Sequence, residues 1–107
     1  MNFKEFLYSK LAEEAAETGQ AAIKCQIFGE ESKDPVLTNS VTNSVALENE
    51  FTDMIAVIAL LNEEHNPQNK DIKPKYDVVD DRLSQKMKKL KVQFELMHQL
   101  KEERKEV

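Results

Sequence analysis

Glycine, proline and cysteine are scarce in this chain, and tryptophan is absent. Its 107 residues include two Gly, three Pro and one Cys, a composition that disfavours a turn-rich β fold and excludes an internal disulfide. No apolar run reaches the roughly 20 residues of a membrane span, and the first residues lack a signal-peptide pattern. We therefore expect one all-helical domain over residues 1–107, located in the cytoplasm with a reduced Cys25.

Basic residues are scarce in the first two thirds of the chain. Residues 1–69 have 4 basic and 12 acidic side chains, whereas residues 70–107 have 11 basic and 8 acidic ones. The net charge of −5 argues against general nucleic-acid binding and against binding to anionic membranes. An acidic first part and a basic last part suit a metal ion complexed to a phosphate.

The first helix has marked ends in the sequence. Asn2 is a good N-cap with Glu5 at the reciprocal capping position. Apolar residues then recur at helical spacing as far as Phe28, where Gly29 can end the helix. Helix 1 is therefore predicted to begin just after Asn2 and to run to about Phe28.

Two more helices follow a long polar connection. Residues 29–43 lack helical periodicity, and Thr-Asn-Ser-Val occurs twice in succession over 38–45, so either copy can cap helix 2. Helix 2 is predicted from about Ser44 to Glu64, and helix 3 from Asp77 to about Arg104. We read the connection as a solvated linker, with a lid or specificity loop as the alternative.

Four acids stand in apolar surroundings on the first two helices. Glu14 projects from the middle of the apolar side of helix 1 with Glu17 at its flank, and Glu50 and Asp53 lie in a second apolar row of helix 2 that we expect to be covered. Each pair is spaced i, i+3, so an antiparallel hairpin brings both pairs to the helix interface. Covered carboxylates need a positive partner, either a basic side chain or a metal ion.

These acids can belong to one of three kinds of site. Clustered hard oxygen ligands suit Mg²⁺ or Mn²⁺, with water and substrate phosphate completing the coordination shell. A di-iron bundle requires Glu-x-x-His pairs, and neither His65 nor His98 provides one. The remaining alternative is that the acids are surface groups paired with lysines on neighbouring helices.

Glu14-Ala-Ala-Glu17 and Glu50-Phe-Thr-Asp53 resemble the Glu-x-x-Glu and Glu-x-x-Asp signature of the MazG-like, all-α nucleoside triphosphate pyrophosphohydrolases. This family is related to dimeric dUTPases and to phosphoribosyl-ATP pyrophosphohydrolase, and the likeness is closest to small phage-type or mobile-element members. It covers residues 7–64 well and helix 3 loosely. Two features depart from the family pattern: Thr52 replaces a common glycine, and the spacer of 32 residues between the motifs is long.

The resemblance implies hydrolysis of a nucleoside triphosphate between its α and β phosphates, which yields a monophosphate and pyrophosphate. It implies Mg²⁺, or Mn²⁺, and a homodimer or homotetramer that resembles a four-helix bundle. The catalytic and metal-binding residues would be Glu14, Glu17, Glu50 and Asp53. The substrate phosphates would be held by Lys24, Lys86 and Lys89.

Helix 3 suggests a different function. Its apolar residues recur at a heptad-like spacing, with Arg82, Lys86 and Lys89 in the row beside them. The apolar stripe, which we expect to be core, consists of Val79, Leu83, Met87, Leu90, Phe94 and Met97. A non-catalytic helical oligomerisation or interaction module would explain this helix but would leave Glu14 unexplained.

Overall fold

The computed structural model describes residues 1–36, 40–66 and 80–105. Its helices are α1 (Phe3–Phe28), α2 (Asn43–His65) and α3 (Asp80–Lys105). The described residues form no strand, only an isolated antiparallel bridge between Lys33 and Thr42. This confirms the all-α prediction. In the same part of the chain, every helix is too short or too polar to cross a membrane.

Both ends of α1 follow from local hydrogen bonds. The Glu5 backbone N–H donates to Asn2 Oδ1 at 2.8 Å, and Asn2 Nδ2 donates to Glu5 Oε1 at 3.1 Å. At the other end Gly29 adopts φ 93°, and its N–H donates to the Cys25 carbonyl at 3.0 Å. Glycine adopts this positive φ without the strain that a side chain would cause. The predicted bounds of helix 1 are confirmed.

Helix α2 extends one residue beyond its prediction at each end. Its N-cap is Thr42, from the second copy of the repeat, whose hydroxyl oxygen accepts from the Val45 N–H at 3.4 Å. At its C-terminal end the Asn66 N–H donates to the Asn62 carbonyl at 3.0 Å. A side-chain acceptor at the N-cap satisfies one of the first unpaired N–H groups of the helix.

Backbone hydrogen bonds tie the two ends of the connection together. The Asn43 N–H donates to the Ser32 carbonyl at 2.8 Å, and the Ser44 N–H donates to the Glu30 carbonyl at 2.9 Å. These bonds lie beside the bridge of Lys33 with Thr42. The start of α2 is therefore held directly against the segment that follows α1.

The first of two compact units, Met1–Tyr76, contains α1 packed antiparallel on α2. Tyr8 contacts His65 at 3.4 Å near one end of the pair, and Asn43 donates to the Lys24 carbonyl at 3.5 Å near the other. Among the described residues the fully buried core consists of Leu7, Ala21 and Leu61. Half-buried apolar residues extend this core: Leu11, Cys25, Leu47, Met54, Val57 and Ile58.

Several residues of the predicted apolar stripes are exposed on this hairpin. Phe28 is 66% exposed at the end of α1, and Phe51 is 50% exposed on α2. Phe3 and Phe6, which stack on each other with ring centroids 6.2 Å apart, are also exposed. One partner helix covers only an arc of each apolar surface, so these aromatic rings face outward.

The second unit, Asp77–Val107, contains α3. The helix is described from Asp80, so the predicted start at Asp77, and Val79 in the stripe, lie outside the described residues. The five described stripe residues, Leu83, Met87, Leu90, Phe94 and Met97, are all exposed. The core position predicted for them is therefore not found within the described chain. That residues 1–107 form one domain stays a prediction.

The hairpin core predicts unequal effects for two adjacent leucines. Leu61 is completely buried, whereas Leu60 is 40% exposed. We expect Leu61→Ala to lower the free energy of unfolding by about 2–5 kcal/mol, because it leaves a cavity in the core. Leu60→Ala should cost clearly less. Urea denaturation of both variants measures the difference, and an equal loss would show that Leu60 is also buried in solution.

Candidate functional site

The antiparallel hairpin brings the four predicted acids together at the middle of its interface. Carboxylate oxygens of Glu14, from α1, and of Glu50 and Asp53, from α2, all lie within 4.8 Å of one another. Glu17 joins them because it lies close enough to Glu50 to raise the pKa of that carboxyl group. We call these four residues the acid cluster.

The acids differ in exposure. Glu14, Glu17 and Glu50 are half-buried, whereas Asp53 is exposed. The expectation that both acids of α2 are covered is thus right for Glu50 and wrong for Asp53, which lies at the open side of the cluster. Glu14 Oε2 and Glu50 Oε2 are both inaccessible to solvent and have no hydrogen-bond partner. A buried carboxylate oxygen without a hydrogen-bond partner lowers the stability of the folded protein unless a cation or a proton offsets its charge.

In residues 1–36 and 40–66, no basic side chain offsets the negative charge of the acid cluster through an ion pair. The ion pair in these ranges joins Lys10 to Glu13 at 3.1 Å on the surface of α1. No lysine or arginine of the same ranges pairs with a member of the acid cluster. The alternative in which the acids pair with lysines is therefore not found in this part of the chain.

Burial and like charge both favour the neutral forms of two of these acids. Burial raises the pKa of Glu14, and the negative charges of Glu17 and Asp53 raise it further. For Glu50 the hydrogen bond with Glu17 is the largest cause of a raised pKa, followed by burial and by the charges of the other three acids. Protons and cations therefore compete for the same oxygens.

The acid cluster fits a small divalent cation. Mg²⁺ takes oxygen ligands at about 2.1 Å, so two ligands on opposite sides of the ion lie about 4.2 Å apart. The oxygens of Glu14, Glu50 and Asp53 lie within 4.8 Å of one another, a separation comparable with this spacing. Two of these residues also have an unpaired buried oxygen. Carboxylates alone, without sulfur or imidazole, favour Mg²⁺ or Mn²⁺ over softer metals.

A cavity of about 410 Å³ opens beside the acid cluster. Glu17 and Glu50 line one part of it, and Lys24 lines another. We call it the acidic cavity; its other lining residues are Gln20, Ala21, Asp34, Ser40, Val41, Asn43 and Ala46. Its volume lies in the range of small-molecule sites. A phosphate group in this cavity can thus meet carboxylates and an ammonium group.

A second cavity, of about 500 Å³, lies against the connection. We call it the loop cavity, and it shares Lys24, Asp34 and Asn43 with the acidic cavity. Phe28 and Pro35 supply apolar lining that the acidic cavity does not have. The two cavities are therefore adjacent parts of one surface and differ in chemistry.

The predicted phosphate-binding lysines lie in different units. Lys24 lines both cavities, and its contact with a phosphate stays a prediction. Lys86 and Lys89 are exposed on α3, and their contact with substrate stays a prediction. Thr52, which stands where the resembling family has glycine, is exposed and donates its hydroxyl to the Glu48 carbonyl at 2.8 Å. It lines neither cavity, so this departure narrows neither of them.

Sequence reasoning missed the contribution of the connection to these cavities. Asp34 and Asn43 line both of them, whereas the sequence favours a solvated linker over a specificity loop for this connection. Asn43 Nδ2 donates to the Gly29 carbonyl at 3.0 Å, which fixes this side chain between the helices. The signal available in the sequence was the cluster of turn-forming polar residues directly before helix 2.

Comparison with known proteins does not identify a relative. A scan of protein-family models, a search of curated proteins and a search of solved structures each found no match to this chain. The resemblance to MazG-like enzymes therefore depends on the two acidic motifs and the residues that flank them.

The raised pKa values predict how the stability of the metal-free protein depends on pH. An acid whose pKa is raised by folding binds protons more readily in the folded state than in the unfolded state. Its contribution to stability is therefore complete at low pH and is lost as the pH rises from about 4.5, the ordinary pKa of Glu14, through the raised pKa. Glu14→Gln removes this contribution. The melting temperature of this variant in EDTA should therefore rise relative to wild type as the pH increases above 4.5, the ordinary pKa of Glu14.

Glu48→Gln is the matched control for this measurement. Glu48 is exposed on α2, two positions from Glu50 and outside the acid cluster. Its substitution should leave the pH dependence of the melting temperature unchanged. Parallel curves for Glu14→Gln and wild type would contradict the inference that Glu14 is destabilised when charged.

Proposed function

We propose that this protein is a metal-dependent nucleoside triphosphate pyrophosphohydrolase, which releases a nucleoside monophosphate and pyrophosphate. One observation carries the proposal: Glu14, Glu50 and Asp53 bring carboxylate oxygens within 4.8 Å of one another, and two of these residues have a buried oxygen without a partner. The adjacent cavity with Lys24 and the resemblance to MazG-like enzymes support it. A cytoplasmic location accords with this substrate and with the lone, half-buried Cys25.

In this proposal Glu14, Glu50 and Asp53 hold Mg²⁺ or Mn²⁺, and Glu17 supports Glu50 from the side of the cavity. The ion, when bound, offsets the negative charge of the triphosphate and increases the acidity of a coordinated water. The carboxylates that repel one another without an ion then become mutually compatible. Metal binding and stability of the hairpin are thus expected to be coupled.

The residues around the acidic cavity have separate roles in the reaction. The α-phosphate lies in this cavity, where Lys24 contacts its non-bridging oxygens and stabilises the charge that develops on them. A water beside the α-phosphorus lies next to Glu17, the acid of the cluster that holds no ion in this proposal and can therefore accept its proton. The water oxygen bonds to the α-phosphorus, and the bond from that phosphorus to the α–β bridging oxygen breaks. Pyrophosphate leaves with the electron pair.

Exposed apolar side chains support an assembly of several copies. Phe51 and Ile55 on α2 are 50% and 46% exposed, and Phe3 on α1 is 49% exposed. We propose a homodimer or homotetramer in which these surfaces are covered, giving a bundle of the kind that the MazG-like resemblance implies. Lys86 and Lys89 are proposed to contact the substrate phosphates in this assembly, in the same subunit or in a neighbouring one.

The exposed stripe of α3 favours a second candidate, a non-catalytic helical interaction module. That function leaves the unpaired oxygens of Glu14 and Glu50 without a purpose. Thermal unfolding with increasing Mg²⁺ or Mn²⁺ discriminates between the two, because an ion that binds only the folded state must raise the melting temperature. No shift at millimolar metal, with or without nucleotide, would favour the module.

The proposed reaction is tested with a panel of nucleoside triphosphates assayed for pyrophosphate release in Mg²⁺. Glu17→Gln and Asp53→Asn should each lower kcat/KM by at least about 100-fold, beyond the 10–100-fold effect typical of residues that only support metal ligands. The matched control is Glu13→Gln, because Glu13 is exposed, pairs with Lys10 and lies outside the acid cluster. Full activity in either cluster variant would contradict the proposed site.

The proposed assembly predicts a mass in solution of at least twice the 12.3 kDa of one chain. Light scattering at micromolar concentration measures it. Phe51→Glu should reduce the mass, because a charge at an apolar interface is costly, whereas the adjacent exposed substitution Thr52→Ser should not. A monomeric wild-type protein would exclude both the dimer and the tetramer.

A further inference from the structure

We infer that the loop cavity is the nucleoside subsite, in which the base of the substrate stacks on Phe28. This inference rests on the proposed function and adds to it the part of the protein that binds the nucleoside. Its basis is the contrast between two adjacent cavities, one lined by Glu17 and Glu50 and the other by Phe28 and Pro35.

The position of the reacting phosphorus limits where the nucleoside can lie. Cleavage between the α and β phosphates requires the α-phosphorus beside the acid cluster, so the nucleoside and the pyrophosphate extend from it in different directions. The loop cavity adjoins the acidic cavity, and Lys24, Asp34 and Asn43 line both of them. One end of the substrate therefore enters it, and Lys24 lies at the junction where the α-phosphate joins the nucleoside.

The lining of the loop cavity favours the base over the pyrophosphate. Phe28 presents a flat ring that is 66% exposed, and Pro35 adds a second apolar surface. Every base has a π-face that stacks on an aromatic ring. Lys33 and Asp34 also line this cavity; their opposite charges offset each other, and both can form hydrogen bonds with a base or a sugar. The preference for the base therefore rests on Phe28 and Pro35.

Hydrogen bonds hold this lining in place. Gly29, directly after Phe28, accepts from Asn43 Nδ2 at 3.0 Å and donates to the Cys25 carbonyl at 3.0 Å. On the opposite wall Asp34 Oδ1 accepts from the Val36 N–H at 2.9 Å. The ring and the carboxylate thus project from anchored backbone, and a preformed site loses less entropy when it binds a ligand.

The test compares ligands with and without a base. Binding of the α,β-methylene analogues of ATP and CTP, which resist the proposed cleavage, is measured by calorimetry in Mg²⁺ alongside inorganic tripolyphosphate. Phe28→Ala should weaken binding of at least one nucleotide analogue by about fivefold or more, the lower end of the effect of losing one base–aromatic stack. Its affinity for tripolyphosphate should not change.

Two variants serve as controls. Ile27→Ala removes a neighbouring apolar side chain of almost equal exposure, 64%, that lines neither cavity, and it should bind every ligand as wild type does. Phe28→Tyr keeps the aromatic ring and should retain the affinity for nucleotide. Circular dichroism and melting temperatures of all variants report whether the helix end stays folded.

The outcomes separate this inference from the proposed reaction. Unchanged nucleotide binding by Phe28→Ala, or an equal loss for nucleotide and tripolyphosphate, overturns the nucleoside subsite even if wild type releases pyrophosphate. Binding that depends on Phe28 without pyrophosphate release from ATP or CTP by wild type supports the subsite and counts against the hydrolase. A wild-type protein that binds neither analogue and releases no pyrophosphate contradicts both.

Discussion

Four carboxyl groups held against one another between two helices impose the main electrostatic constraint on this hairpin. Burial and mutual repulsion disfavour the charged forms of Glu14 and Glu50. The packing available to offset this cost is small, because the fully buried core of the described residues consists of Leu7, Ala21 and Leu61. A purely structural protein would gain stability by replacing such acids with apolar side chains. Their presence at the interface is the main argument for the cation proposed above.

Local sequence signals were sufficient to predict the helices and the meeting of the acids. Asn2 with Glu5 at one end of α1 and Gly29 at the other are short-range features, so their effect does not depend on the rest of the fold. The i, i+3 spacing places each acid pair on one helical face whatever the partner. Only the antiparallel direction of the second helix had to be assumed, because a connection of this length does not by itself fix it.

Exposure and cavity lining could not be predicted in the same way. A helical wheel identifies the apolar side of a helix but not how much of that side one partner covers, which is why Phe28, Phe51 and Asp53 are exposed. The cavities depend on the path of the connection, set by bonds such as that from the Asn43 N–H to the Ser32 carbonyl. No periodic pattern encodes such pairings, so Asp34 and Asn43 were not recognised as lining residues.

Because Lys33 and Thr42 form a bridge, the length of the chain between them does not affect the position of the acid cluster. Since the chain is closed at this bridge, residues inserted or deleted within 34–41 change the size of a loop, and the entropy of closing a loop varies only slowly with its length. Glu50 keeps its position because α2 begins directly after Thr42, outside this loop. Evolution can therefore lengthen or shorten this segment, and reshape the wall beside Phe28, while the arrangement of the acid cluster is inherited unchanged.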